Sequence, residues 1–245
     1  MPRNVRNSRQ AILQAAAAEF AARGFAGAGV DRIARTARIN KAMIYYHFHS
    51  KAQLYREIVR DMVSAVSART GAVAQSSLAP AEKMDAFVET MAAEAAARPH
   101  FPPVMMREVA EGARHLDRDT LQQMLGIVAN LRAILDEGAS AGTFKRVDPV
   151  LVYFSLFGPI VVYLGSAPVR RALGQLARTR AAGVDPVVLA RHLKTSGDIG
   201  ALANHLKAMI RLTLGHEPDR AGDPIARRQR KTGSRRRAGR SGEQV

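Results

Sequence analysis

Between Val30 and Leu54 the chain reads VDRIARTARINKAMIYYHFHSKAQL. Val30, Ile33, Ala34 and Ala37 fall on one side of a helix that is short, because Arg38-Ile39-Asn40 interrupts the pattern. Asn40 is a suitable cap for a second short helix over about Lys41–His47, with Ile44 and Phe48 inward. Ser50 then caps a long helix from Lys51 to about Gln75. Two helices of two turns each, joined by three residues, bury little surface alone. They must pack on a third helix, and Arg9–Arg23 supplies one, with Ile12, Ala16 and Phe20 on one face and Gly24 ending it. Ser8 is a candidate cap for that helix, which leaves Met1–Asn7 as a short basic arm.

This compact pair of helices suits the DNA major groove, which admits a short recognition helix while its partner lies near the backbone. Lys41 is placed to bond guanine O6/N7 or a phosphate, and Ala42 is small enough to meet a thymine methyl. Tyr45 and Tyr46 carry hydroxyls at the ends of flat rings and suit base edges or phosphates. His47 reaches a phosphate. Lys51 stands at a helix N-terminus, where free N–H groups and the dipole attract an anion. Two adjacent tyrosines on a helix cannot both face one core, so at least one is turned outward.

Residues 9–54 resemble the N-terminal domain of the tetracycline-repressor-like (TetR) family of transcriptional regulators. The resemblance is carried by AILQAAAAEFAARGF (Ala11–Phe25), VDRIARTA (Val30–Ala37) and IYYHFHSKAQLY (Ile44–Tyr55). It implies base contacts at Lys41, Ala42 and Tyr45, with Met43 as a further position, and backbone contacts at Tyr46, His47 and Lys51. Two positions depart from the family pattern. Gly29 stands where a capping Thr or Ser is usual, and Arg38 stands where the turn usually has Gly. Arg is disfavoured in left-handed backbone, so the turn is either strained or differently shaped.

The charge distribution fits a polyanion partner. The chain of 245 residues carries a net charge of +16. Residues 1–51 hold nine Lys/Arg against two Asp/Glu, and residues 225–245 hold eight against one. The body between them is nearly neutral, so the cations sit at the two ends. There are no cysteines, which excludes disulfides, thiolate catalysis and a thiol redox sensor. No nucleophile elbow, P-loop, dinucleotide fingerprint or HExxH motif is present, and the chain is not expected to be an enzyme. No cofactor is expected. The N-terminus lacks a secretory signal pattern, and a cytoplasmic location is expected.

The expected architecture is all-α. Residues 1–54 form a three-helix helix-turn-helix domain, 55–215 a helical effector-binding and dimerisation domain, and 216–245 a basic disordered tail rich in Arg, Gly and Ser. Within the body, helices are expected over 81–98, 104–112 and from Asp117 or Asp119 to about Ala141. Short helical patches are expected around 169–178 and 186–192, and Asp198 caps a last helix through Leu214. Phe101, Met105, Met106 and Met124 lie beside a Pro-rich corner and are candidates to line an effector cavity, with Glu108 as a polar group. Core packing explains the same methionines. Glu108, Glu111 and His115 share roughly one helix face; a solvated face is favoured over a metal site there.

Val150–Val169 is twenty residues without a charge, which hydropathy alone reads as a membrane span. Its Ser, Gly and Pro residues argue against one. The family resemblance implies instead a helix buried between two protomers of a homodimer, paired with Ile199–Leu214 and its stripe Leu202, Leu206, Met209, Ile210 and Thr213. The function implied is a ligand-responsive regulator, a repressor that binds a palindromic operator in double-stranded DNA and leaves it when a small molecule binds. A membrane-anchored DNA-binding protein and an activator of the same fold are the alternatives.

Overall fold

The computed structural model describes residues 3–179 and 198–215, and among them every regular element is a helix. Ten are described: α1 (Arg3–Gly27), α2 (Val30–Ala37), α3 (Lys41–Phe48), α4 (Lys51–Ala74), α5 (Pro80–Ala97), α6 (Phe101–Ala110), α7 (Arg118–Ser140), α8 (Pro149–Gly165), α9 (Ala167–Thr179) and α10 (Ile199–Leu214). The first three pack into a head against the start of α4. The rest of α4 runs on into a body, where it lies along α7 and α5.

Most boundaries follow from capping chemistry. Asn40 accepts from the Ala42 N–H, Ser50 from Gln53, Asp117 from Thr120, Asp148 from Val150 and Leu151, and Asp198 from Ala201. Each short side chain satisfies a donor that the helix cannot satisfy itself.

Two expectations needed correction. Helix α1 starts at Arg3, so Ser8 lies inside it and is not its cap. Gly24 does end the regular run, taking φ 69°, ψ 177°, which glycine adopts without a Cβ penalty, and a short helical stretch continues beyond the kink to Gly27. Helix α6 begins at Phe101 rather than Val104. Pro102 and Pro103 fall in its first turn, where a missing N–H costs nothing, so the Pro-rich corner is a helix start. The patch expected over 186–192 and the basic segment 216–245 lie outside the described residues.

One continuous core joins head and body. Ile12, Phe20, Ile33, Ile44, Phe48 and Leu54 fill the head, each buried. Phe87, Met105, Leu131, Ile134, Leu156 and Leu206 fill the body. Each such side chain contributes about 1.5–3 kcal/mol by leaving water.

Helix α8 buries Val152, Tyr153, Leu156, Phe157, Ile160 and Val161, while Leu151, Phe154 and Val162 stay outside. The stripe expected on α10 divides likewise. Leu202, Leu206 and Ile210 are buried with Leu214 on α5 and α8, whereas Met209, Leu212 and Thr213 face outward. No single described helix is long and apolar enough to cross a membrane. Helices α8 and α9 reach that length only as a pair bent by 58°.

Candidate nucleic-acid interface and internal cavity

Helix α2 lacks a capping hydroxyl, since Gly29 makes no side-chain cap. The head supplies one from elsewhere. The Glu19 carboxylate on α1 accepts from the Gly29 N–H at 3.1 Å and from Arg32 Nε at 2.6 Å. Glu19 is thus held as a carboxylate: burial pushes its pKa up, but the hydrogen bonds from Arg32 and Gly29 outweigh it and leave the pKa lowered. The departure at Gly29 is compensated through space, which sequence spacing does not reveal.

Arg38 does adopt left-handed backbone, φ 55° and ψ 44°, and its N–H closes α2 onto the Ala34 and Arg35 carbonyls. The turn therefore keeps the shape a glycine would give it and carries strain instead. At the other end of α3, His49 takes φ 61°, ψ −41°, and the Ser50 N–H bonds the Phe48 carbonyl at 2.6 Å. That tight reversal starts α4 directly after α3.

Helix α3 presents Lys41, Ala42 and Tyr45 to solvent, with Tyr45 44% exposed and Tyr46 beside it 71% exposed. Met43 is half-buried, while Ile44 and Phe48 anchor the helix in the head core. Lys41 pairs with Asp31 of α2 at 2.9 Å, and this hydrogen bond raises its pKa. His47 is half-buried, its Nε2 3.1 Å from the Ser8 hydroxyl, so the ring also ties α1 to α3. Lys51 is less free than its position suggests. Its ammonium donates to the Ala28 carbonyl at 2.9 Å and lies 4.8 Å from the centre of the Phe25 ring, locking the α1–α2 connection to α4.

Sequence spacing missed a junction between head and body. Arg107 of α6 donates to the Ala22 carbonyl at 3.1 Å and lies under Gly24, where a Cβ would meet its Nη1 at 3.2 Å. It caps carbonyls freed by the break in α1. The next residue, Glu108, is only 2% exposed. Its Oε1 accepts from the Tyr55 hydroxyl at 2.5 Å and lies 3.0 Å from His115 Nδ1, while Oε2 is buried without a hydrogen bond. Burial, then the Glu108 hydrogen bond, keeps the Tyr55 hydroxyl protonated. Phe25 of the head packs on both rings, 4.5 Å from His115 and 5.3 Å from Tyr55 between centres. Glu108 is therefore part of a buried cluster and not of a solvated face, and no metal-binding group of three appears among the described residues.

Earlier on the same buried face of α6, Phe101 and Met105 line an apolar seam with Met124, Met91, Tyr153 and Phe157. Its free space is about 20 Å³, room for about one water. Met106 is not in this wall; it is partly exposed, with its sulfur against Gly165. Glu108 does not line it either. A wider cleft of about 580 Å³ opens between α1, α4 and the α5–α6 connection. Three of its charged groups are already paired: Arg9 and Glu57 with each other, and Arg98 with Glu94 at 2.5 Å.

A short helix with outward cations and hydroxyls, set on a helix pair and carried by a separate helical body, defines a helix-turn-helix transcriptional regulator. Residues 12–58 match the family described as bacterial regulatory proteins, tetR family, and residues 80–184 match the tetracyclin repressor-like C-terminal domain. The chain is 30% identical over 161 residues to the HTH-type transcriptional repressor KstR2 of Mycolicibacterium smegmatis, covering 62% of this chain and 75% of that one. Over 48 residues it is 48% identical to the repressor SCO4008 of Streptomyces coelicolor, covering 20% of this chain and 25% of that one. The crystal structure of a putative regulator, SCO4942 of the same species, superposes with TM-score 0.57 at 28% identity, covering 82% and 97% of the two chains. The protein belongs to the TetR family of transcriptional regulators.

Proposed function

We propose that this chain is a homodimeric, effector-released repressor, with residues 1–54 as the DNA-reading domain and 55–215 as the effector-binding and dimerisation domain. The cytoplasm, where bacterial DNA lies, is its place of action. The observation that carries the reading is the outward face of α3, where Lys41, Ala42 and Tyr45 stand together beside Tyr46 and the N-terminus of α4. Lys41, Ala42 and Tyr45 would read base edges, with Met43 at the margin. Tyr46, His47 and the α4 N-terminus would hold phosphates. Lys51 would act partly by fixing the α1–α2 connection. Two such heads related by a two-fold would read a palindrome.

The effector would enter the seam lined by Phe101, Met105 and Met124. The seam is favoured over the wider cleft because its wall is apolar and because α6 joins it to the head. The buried face of α6 lines the seam through Phe101 and Met105 and, at its C-terminal end, meets α4 through Glu108, while Arg107 beside it holds α1. A ligand too large for a space of about one water must displace α6, and so load the junction with the head. Coupling of this kind requires that the ligand bind the displaced state better.

The test is fluorescence-polarisation binding to upstream DNA at several salt concentrations. Wild type should bind selectively as a dimer with salt-dependent affinity. Tyr45→Ala should lose roughly tenfold or more, the scale of one specific contact, while its melting temperature stays unchanged. Equal affinity for Tyr45→Ala and wild type would remove Tyr45 from the interface.

A further inference from the structure

The seam under α6 has a chemical character that narrows what it takes. Its walls include Val66, Met91, Phe101, Met105 and Phe157, and no charged side chain is among them. The buried carboxylates nearby on α5 and α6 are engaged elsewhere: Glu94 with Arg69 and Arg98, and Glu108 with Tyr55 and His115. A charged ligand group entering the seam would lose its water and find no counter-ion.

One side chain breaks the apolar wall. Tyr153 of α8 is 4% exposed and, among the described residues, brings the one side-chain hydroxyl to the wall of the seam. Its ring is held parallel to Phe157, with centres 5.6 Å apart, and edge-on to Phe154. Its hydroxyl is the polar side-chain group that a molecule opening the seam would meet. Burial pushes its pKa up to about 12, so it remains a neutral donor.

Resting on the reading of the seam as the effector site, we propose that the effector is an uncharged, largely apolar molecule with one carbonyl or hydroxyl oxygen, and that this oxygen pairs with the Tyr153 hydroxyl. The rest of the molecule would lie against Met91, Met105 and Met124, whose unbranched side chains re-pack as the seam opens.

Calorimetric titration of the full chain with 1-octanol, 2-octanone and octanoate at neutral pH tests this. Wild type should bind the two neutral probes at least tenfold more tightly than octanoate. Tyr153→Phe keeps the ring stacking and should lose about tenfold for both neutral probes. Met124→Trp, with Ala95→Leu as a second seam-filling variant in case the first fails to fold, should abolish binding. If octanoate binds as well as 1-octanol, or if Tyr153→Phe binds like wild type while the filled variants do not, the ligand class is overturned and the seam survives as the site. If the neutral probes fail to bind wild type, or bind the filled variants unchanged, the seam itself is not the effector site and both readings fall.

Discussion

Arg38 shows how one residue can carry the cost of a turn. Its backbone sits at φ 55°, where a Cβ crowds the following carbonyl, and glycine relieves this. Arg38→Gly should therefore stabilise the protein by about 1 kcal/mol, or about 2–4 °C in melting temperature for a chain of this size. The exposed guanidinium goes with the substitution, so operator affinity at low salt should not rise. A lower melting temperature would show that the Arg38 side chain makes a compensating contact. The strain itself was legible from Arg standing in a glycine position. The compensation for Gly29 was not, because Glu19 and Arg32 reach it across two helices.

Helix ends are the clearest case at the scale of elements. Asp117 caps α7, accepting from the Thr120 N–H at 2.9 Å and hydroxyl at 2.7 Å, and it also pairs with Arg60 of α4. Burial alone would raise its pKa. The Thr120 bonds and Arg60 outweigh that and hold it at about 2. A depressed pKa means stability that is present above the ordinary carboxyl range and lost as pH falls through about 2. The contribution is roughly 2 kcal/mol, draining between about pH 5 and pH 2. Asp117→Ala should thus melt lower than wild type at pH 7, and the gap should close toward pH 2. A gap that stays constant with pH would mean the carboxylate charge plays no part. Asp117 was one of two candidate caps in the sequence. The choice over Asp119 is made by Thr120, whose N–H and hydroxyl both donate to Asp117, since Arg60 also pairs with Asp119 at 3.5 Å.

For the whole molecule, the apolar faces left outside by α8 and α10 matter most. Leu151, Phe154 and Val162 line one, and Met209 and Leu212 stand on the other, Leu212 being 84% exposed. Exposed leucine and phenylalanine on two neighbouring helices suit a second copy of the chain, since an isologous dimer covers both faces at once. Leu212→Glu should therefore yield a monomer by light scattering at micromolar concentration, with an unchanged helical signal. Its affinity for a two-site operator should fall at least a hundredfold, because the heads lose their linkage. A Leu212→Glu protein that stays dimeric would place the interface elsewhere.

The sequence alone determined most of the described helices and which side chains of α3 face outward. Helical periodicity, capping residues and the Tyr-Tyr-His-Phe-His-Ser-Lys run are local, and local patterns survive translation into structure. Tertiary structure decided what each side chain does with its polar atoms. Lys51 turned from a free cation into a tether on the Ala28 carbonyl, and Glu108 from a surface group into the buried partner of Tyr55 and His115. It also divided the stripe on α10 into a core row and an outer row. The physical reason is one of range. A helix is specified within a few residues of itself, whereas the partner of a buried charge lies 53 positions away for Tyr55 and Glu108, and only packing brings them together.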